Sequence, residues 1–434
     1  MVLCSTKDPS LRASWSEAVL RGLAPDGGLY LPTSLPTFSP QQLAEFKELP
    51  FPQLASRIAQ AIIGDEVLPE HLNAICSKAF TFDAPLREIS RNLFILELFH
   101  GPTCAFKDFG ARFMAGLFRH FLGQSTSPLT VLVATSGDTG SAVANAFYDE
   151  TPNPLIKVSI LFPKGKVTPI QEKQMTTLGH NVTAYEVEGT FDDCQALVKR
   201  ALADTTVNEK VRLTSANSIN IARLLPQVMY YVYAALRSPS SPPPIVSVPS
   251  GNLGNLTGGL IAQRMGVPFG RFIAACNKNA PFPSYLRSGV FAAHPSYETI
   301  SNAMDVGNPS NFARILSLFG EDLTAIKRSV VGDIVSDDDT RAEMRRCFEE
   351  TGYILCPHTA VGVVAMRRYS TINPSPAPRI VLATAHPAKF AATVAEEIGG
   401  EIAYPPQLKK AMEMESKKVS LPNSYDEFAR HLSS

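Results

Sequence analysis

Thr130-Val131-Leu132-Val133-Ala134-Thr135-Ser136-Gly137-Asp138-Thr139-Gly140-Ser141 is the stretch whose reading decides the fold. Its first half is a continuous apolar strand without polar alternation, the pattern of a sheet covered on both faces. Its second half turns the chain into a helix that the pattern starts near Ser141. The same unit recurs on both sides. Downstream lie a strand over 156–162, a helix over 168–178, a strand over 181–187 and a helix over 191–203. Strands alternating with helices of this length predict a parallel α/β sheet. Upstream, the apolar run Leu93-Phe94-Ile95-Leu96-Glu97-Leu98 closes on a Gly101-Pro102 turn, and a helical pattern opens after it.

Further along, residues 212–220 lead into a long apolar helix to Leu236, with Pro226 predicting a kink or restart. The proline-rich stretch 237–244 reads as a surface connector. A second α/β run follows: strands over 245–249, 272–276 and 379–383, helices over 311–318 and 337–350, and a loose segment over 373–378. Before residue 90 the patterns are helical, with Ser39 as an N-cap ahead of Pro40 and a dense turn cluster over 23–32. The expectation is two parallel-sheet α/β domains, over 91–236 and 245–434, with a ligand cleft between them, plus a mostly helical N-terminal region over 1–90.

Forty basic and forty acidic residues among 434 leave no net charge, which argues against nucleic acid or an anionic membrane as partner. The seven cysteines are scattered and form no C-x-x-C pair, as expected of reduced thiols in a cytoplasmic protein. The start of the chain has no secretory pattern, and no apolar run approaches the ~20 residues of a membrane helix. No metal site is expected, because the histidines lack ligand spacing.

Two stretches carry chemistry. In Phe99-His100-Gly101-Pro102-Thr103-Cys104-Ala105-Phe106-Lys107-Asp108, Lys107 falls at a helix N-terminus behind apolar neighbours. Helix dipole and desolvation both lower a lysine pKa there, and a neutral lysine is a nucleophile and base suited to a Schiff base. The alternative is a surface lysine with its stem over Phe106. In Val246-Ser247-Val248-Pro249-Ser250-Gly251-Asn252-Leu253-Gly254-Asn255, a buried strand runs into a glycine-rich turn and a helix. Such a turn binds phosphate through backbone N–H groups, and its spacing is that of neither a nucleoside triphosphate nor a dinucleotide motif. The alternative is a plain tight turn. A Schiff-base lysine on one unit and a phosphate cradle on another are the minimum for holding pyridoxal 5'-phosphate.

On these motifs, with those at 23–32, 134–147, 215–225, 301–306 and 383–390, the chain resembles the threonine synthase family over nearly its whole length. The resemblance implies a fold type II pyridoxal-phosphate enzyme that converts O-phospho-L-homoserine and water to L-threonine and phosphate. Lys107 matches the lysine that carries the cofactor. Gly251, Asn252, Leu253, Gly254 and Asn255 match the cofactor-phosphate loop, with Leu253 where phenylalanine is common. Thr384 matches the residue at the pyridine nitrogen, a helix N-cap being its alternative role. Ser136, Gly137, Asp138 and Thr139 match the turn that receives the substrate carboxylate, although Asp138 could cap the next helix. Asn217, Ser218, Asn220 and Arg223 are the candidates for the substrate phosphate, a salt-bridged structural arginine being the alternative for Arg223. Cys104, where leucine is common, reads as a packed thiol. His100 and His386 lie within motifs; His71, His120, His180, His294, His358 and His431 have no partner pattern and read mostly as bystanders.

The implied chemistry has the substrate amine displace Lys107, which then takes protons from the substrate before phosphate leaves and water adds at Cβ. Two rivals remain: a phospholyase giving 2-oxobutyrate, which would keep every cofactor residue, and a catalytically silent binding protein, against which the intact Lys107, Thr384 and phosphate loop argue. The oligomer is expected to be a monomer or homodimer.

Overall fold

A computed structural model of the protein describes residues 2–123, 127–151, 154–239 and 241–433. Two sheets organise it. The five-stranded sheet runs Val419–Pro422, Val182–Glu188, Ile156–Pro163, Leu129–Ala134 and Arg212–Ser215, all parallel. Leu129–Ala134 is buried at every position, in register with Ile156 to Leu161. The six-stranded sheet runs Val330–Ile334, Arg271–Cys276, Ile245–Pro249, Arg379–Ala383, Leu93–Glu97 and Leu86–Ser90. Only its last strand is antiparallel. A mixed α/β fold with parallel sheets is thus present, as the strand–helix alternation predicts.

The sheets do not respect the expected boundaries at 91–236 and 245–434. Leu93–Glu97 pairs residue for residue with Arg379–Ala383, inside the sheet of the second run. Val419–Pro422, near the chain's end, pairs with Val182–Glu188 in the sheet of the first. Periodicity reports that a strand is buried, not which strand lies beside it. The N-terminal region also contains more than helices. Leu3–Ser5, Arg12–Ala13 and Tyr30–Pro32 form a small antiparallel sheet, with strands too short to show alternation.

Helix starts follow local chemistry. Ser14 with Glu17 and Ser39 with Gln42 form capping boxes ahead of Trp15–Arg21 and Pro40–Lys47. The helix expected from Ser141 begins earlier, at Asp138. Thr135 Oγ1 accepts the Gly137 and Gly140 N–H groups at 2.9 Å each, which winds the turn tightly enough to start the helix there. Ile221–Arg237 runs unbroken through Pro226, without the expected restart. It is buried on nearly all sides, so packing outweighs one missing backbone hydrogen bond. The segments 241–244 and 374–378 are irregular, as a connector reading requires, while Ser240 lies outside the described residues.

The N-terminal helices close over this central helix and the helix Lys107–Leu122. Phe51 packs edge-to-face on Phe109 at 5.4 Å and on Tyr233 at 5.1 Å, joining the three regions in one aromatic core. Among the described residues no helix is long and apolar enough to cross a membrane.

Gly258 allows Gly254–Arg264 to lie against the central helix, since a Cβ there would meet Gln227 Cβ at 2.9 Å and the Gln227 carbonyl carbon at 3.1 Å. Gly258→Ala is therefore expected to cost about 1–3 kcal/mol by overpacking. Urea denaturation checks this, and an unchanged midpoint would mean that the two helices separate freely.

Candidate active site

The turns that follow five parallel strands converge on one cavity, as expected at the carboxyl ends of α/β sheets. Lys107 follows Leu93–Glu97, Ser136 follows Leu129–Ala134 and Asn217 follows Arg212–Ser215. Gly251 follows Ile245–Pro249 and Thr384 follows Arg379–Ala383. The cavity has about 1420 Å³ of empty space including its open mouth.

Lys107 is the first residue of its helix. The segment before it is stitched to the segment after Arg379–Ala383: Phe106 N–H donates to Thr384 O at 2.8 Å, and His386 N–H to Cys104 O at 3.0 Å. These bonds fix the lysine relative to Thr384. Among the described residues Nζ forms no hydrogen bond or ion pair, and it lies over the Phe106 ring, 5.8 Å from the centroid. Burial lowers the amine to about 8, with Arg223 and Lys389 pushing the same way and Asp138 opposing. The desolvated, helix-terminal lysine of the sequence reading is what the structure contains. Asp108 beside it points away from this role, accepting from Thr103 N–H at 2.8 Å and Thr103 Oγ1 at 2.7 Å.

The glycine-rich turn is shaped by two close constraints. A Cβ on Gly251 would lie 2.7 Å from Met304 Cα, so backbone lies against backbone there. Leu253 caps the helix at φ 61, in the left-handed region, with its side chain buried. The first-turn N–H groups of Gly254–Arg264 have no intrahelical partner and face the turn. Asn252 is tied down, its Oδ1 accepting Ser310 N–H at 2.6 Å and its Nδ2 donating to Ser218 Oγ at 2.6 Å. Asn255 Oδ1 accepts from the Tyr230 and Tyr231 hydroxyls at 2.7 and 2.8 Å, while its buried Nδ2 has no partner among the described residues. An unpaired lysine, a set of free amide donors and a Thr384 hydroxyl on the same cavity fit pyridoxal phosphate. Lys107 would hold its aldehyde end, the 251–255 turn its phosphate, and Thr384 its ring nitrogen. The cap of the following 3₁₀ turn is His386, not Thr384, which leaves the threonine hydroxyl out of the alternative role.

The expected substrate residues divide. Ser136, Asp138 and Thr139 line the cavity, as do Asn217, Ser218 and Arg223. Gly137 and Asn220 do not. Gly137 N–H is already donated to Thr135 Oγ1. Asn220 is fully buried, capping Ile221–Arg237 and donating to Val19 O at 2.8 Å, so it is a structural amide and the expectation of a ligand contact is corrected. Asn217 braces the wall by donating to Ala134 O at 2.8 Å and accepting from Ala134 N–H at 3.2 Å. Arg223 is not salt-bridged. Its Nη1 donates to Ala216 O at 2.6 Å, and its buried Nε has no partner among the described residues. Burial draws its guanidinium down to about 10 against the pull of Asp108.

Three residues escape sequence reading. Lys389 is wholly buried and pairs with Asp138 at 2.7 Å while donating to Thr103 O at 3.0 Å. Burial works to raise the Asp138 carboxyl, but Lys389, Lys107 and a bond from Gln171 Nε2 outweigh it and hold the carboxylate well below its ordinary range. Lys389 thus neutralises a carboxylate that would otherwise repel an anion entering the cavity. Arg314, fully buried, donates to Tyr30 O, Ser218 O and Ile219 O at 3.0, 2.9 and 2.7 Å and so clamps the turn behind Ser218. His358 lines the cavity. None has a local pattern; only the end of the Thr384-Ala385-His386-Pro387-Ala388-Lys389 stretch signals Lys389.

Removing one partner of a buried pair leaves the other charge uncompensated. Lys389→Met is expected to cost about 3–5 kcal/mol, and adding Asp138→Asn to recover most of it. Denaturant titration of both single variants and the double variant checks this; a double loss equal to the sum of the single losses would show that the pair is not coupled.

Comparison with known proteins agrees with this geometry. Residues 80–383 match the family model described as "Pyridoxal-phosphate dependent enzyme". Residues 3–80 match "Threonine synthase N terminus", and residues 359–431 match "Threonine synthase, C-terminal". The chain is 42% identical to a threonine synthase of Escherichia coli (strain K12), over 98% of this chain and 97% of that protein. It is 41% identical to one from Serratia marcescens, over 100% and 99%. Among solved structures, threonine synthase from Escherichia coli superposes with a TM-score of 0.93 at 41% identity, covering 100% of this chain and 99% of that one. A threonine synthase from Brucella melitensis with bound PLP gives a TM-score of 0.92 at 35% identity, again over 100% and 99%. With matches along the whole length of the chain, the protein belongs to the threonine synthase family of pyridoxal-phosphate-dependent lyases.

Proposed function

We propose that the substrate is O-phospho-L-homoserine, converted with water to L-threonine and phosphate. The observation that carries this reading is the contents of one cavity. An unpaired, desolvated lysine shares it with two separate anion-ready groups, the 251–255 turn and the Ser218–Arg223 wall. One such group suits the cofactor phosphate, and the other suits the phosphate of a substrate.

Pyridoxal phosphate, when bound, supplies an electron sink for the pair released when the Cα–H bond breaks. The protein's residues do the rest. Lys107 is the base at Cα and Cβ, a role for which an amine lowered to about 8 offers far more of its unprotonated form near neutral pH than an ordinary lysine does. Ser136 and Thr139, at the start of the Asp138–Phe147 helix, receive the substrate carboxylate, with Asp138 silenced by Lys389. Ser218 Oγ and Arg223 Nε receive the departing phosphate, and Asn217 positions them by bracing the wall. All seven cysteines are unpaired, which supports a reducing cytoplasmic compartment.

Incubation with O-phospho-L-homoserine and pyridoxal phosphate is expected to yield threonine and phosphate in equal amounts. Accumulation of 2-oxobutyrate in place of threonine would assign a phospholyase instead. The lysine also sets a pH dependence. Lys107 titrates at about 8 in the folded chain, against an ordinary value of 10.5. Between these values the unfolded chain binds more protons, so this group adds stability as pH rises through that window. Uptake of pyridoxal phosphate by the cofactor-free protein is expected to accelerate with pH to a midpoint near 8. A midpoint near 10.5 would place the lysine in water.

A further inference from the structure

His358 stands at the second position of the helix Pro357–Ile372, 2% exposed, on the wall of the cavity. Its ring packs on Phe390, with centroids 4.7 Å apart. Nε2 accepts the Ala303 backbone N–H at 3.1 Å, so that nitrogen carries no proton. A neutral ring bonded this way must hold its proton on Nδ1. Burial, with Lys107 and Lys389 acting the same way and Asp138 opposing, keeps the ring neutral by lowering it to about 4. Nδ1–H is nevertheless buried without a partner among the described residues. An orphaned donor of this kind costs about 1–3 kcal/mol unless something accepts from it.

The donor to Nε2 is itself held rigidly. Ala303 belongs to the turn 299–306, and Asp305 anchors that turn. Asp305 Oδ1 accepts from Asn277 Nδ2 at 2.8 Å, Asn279 Nδ2 at 3.1 Å and Thr299 Oγ1 at 2.7 Å, and its Oδ2 accepts Thr299 N–H at 3.0 Å. The same turn places Met304 against Gly251 of the phosphate turn. The charges that reach the imidazole are Lys107, Asp138 and Lys389, which puts it toward the lysine end of the cavity.

We propose that His358 is a further residue of the active site, an imidazole locked with its proton on Nδ1 that donates it to an anionic oxygen of the bound ligand. That oxygen is either the ring oxygen of pyridoxal phosphate or the carboxylate of the substrate. The proposal rests on the functional reading above, because it needs such a ligand in this cavity. The turn 299–306 sets the tautomer and the aim of the donor.

Two substitutions separate the ring's nitrogens. His358→Gln keeps an acceptor where Nε2 meets Ala303 but loses the Nδ1 donor, and His358→Asn keeps a donor near Nδ1 but abandons Ala303. If the cofactor oxygen is the acceptor, His358→Gln should weaken pyridoxal phosphate binding about ten-fold or more and shift the cofactor absorbance band without substrate. His358→Asn should recover much of both. If the substrate carboxylate is the acceptor, band and cofactor affinity should match wild type, while KM for O-phospho-L-homoserine rises about ten-fold in His358→Gln alone. Equal losses in both variants, or none in either, would overturn the proposal in favour of a purely structural ring. Nitrogen-15 histidine spectra of the wild type decide the matter should the variants not fold. Nδ1 is expected to be protonated, with a resonance that moves on loading with cofactor or substrate; an unprotonated or unresponsive Nδ1 overturns it. A wild type that binds no pyridoxal phosphate at all would instead defeat the functional reading on which this one stands.

Discussion

Asp138 and Lys389, 2.7 Å apart and both buried, hold the two sheets' loops at one point. Asp138 begins the helix after Leu129–Ala134 in the five-stranded sheet, and Lys389 lies in the turn after Arg379–Ala383 in the six-stranded sheet. Lys389 also reaches Thr103 O, on the loop that delivers Lys107. Two opposite charges so far from water are tolerable only together, and their geometry is satisfied further by Gln171. Around this pair Lys107, the 136–139 turn and Thr384 keep fixed positions, and its negative member tempers the charge of Lys107.

The phosphate turn depends on a different constraint, that of space. Gly251 sits where the backbone of Met304 leaves no room for a side chain, and Leu253 bears a left-handed conformation so that the next helix can point its N–H groups inward. Asn252 then bridges Ser218 on one side and Ser310 on the other. A single side chain thereby joins the place suited to the cofactor phosphate with the wall suited to the substrate phosphate. The two anion sites are consequently not independent, and a shift in one turn is felt at the other.

Sequence patterns made much of this legible. Alternation of buried strands with amphipathic helices gave the α/β class, and the turn chemistry around Lys107 and Gly251 singled out two elements that the fold brings onto one cavity. Sheet partners were not legible, because Leu93–Glu97 is as apolar as any other central strand and nothing local says that it joins Arg379–Ala383. Asn220 shows the other limit. Its position beside Asn217 and Ser218 suggested a ligand, whereas the fold spends its amide on Val19 and on a helix start. Lys389, Arg314 and His358 were hidden because each acts through residues far away in the chain.

The pairing of strand Leu93–Glu97 with Arg379–Ala383 carries a consequence for biosynthesis. Arg379 Nε meets Asn92 O across 287 residues of chain. As the polypeptide emerges from the ribosome, the segment with Lys107 must wait, its apolar neighbour strand paired on one edge only, until nearly the whole message has been read. The other sheet waits longer still, since Val419–Pro422 supplies its edge. Maturation is therefore posted to the end of translation, and a nascent chain halted at residue 350 holds Lys107 and the 251–255 turn without the strand that brings them to the same cavity.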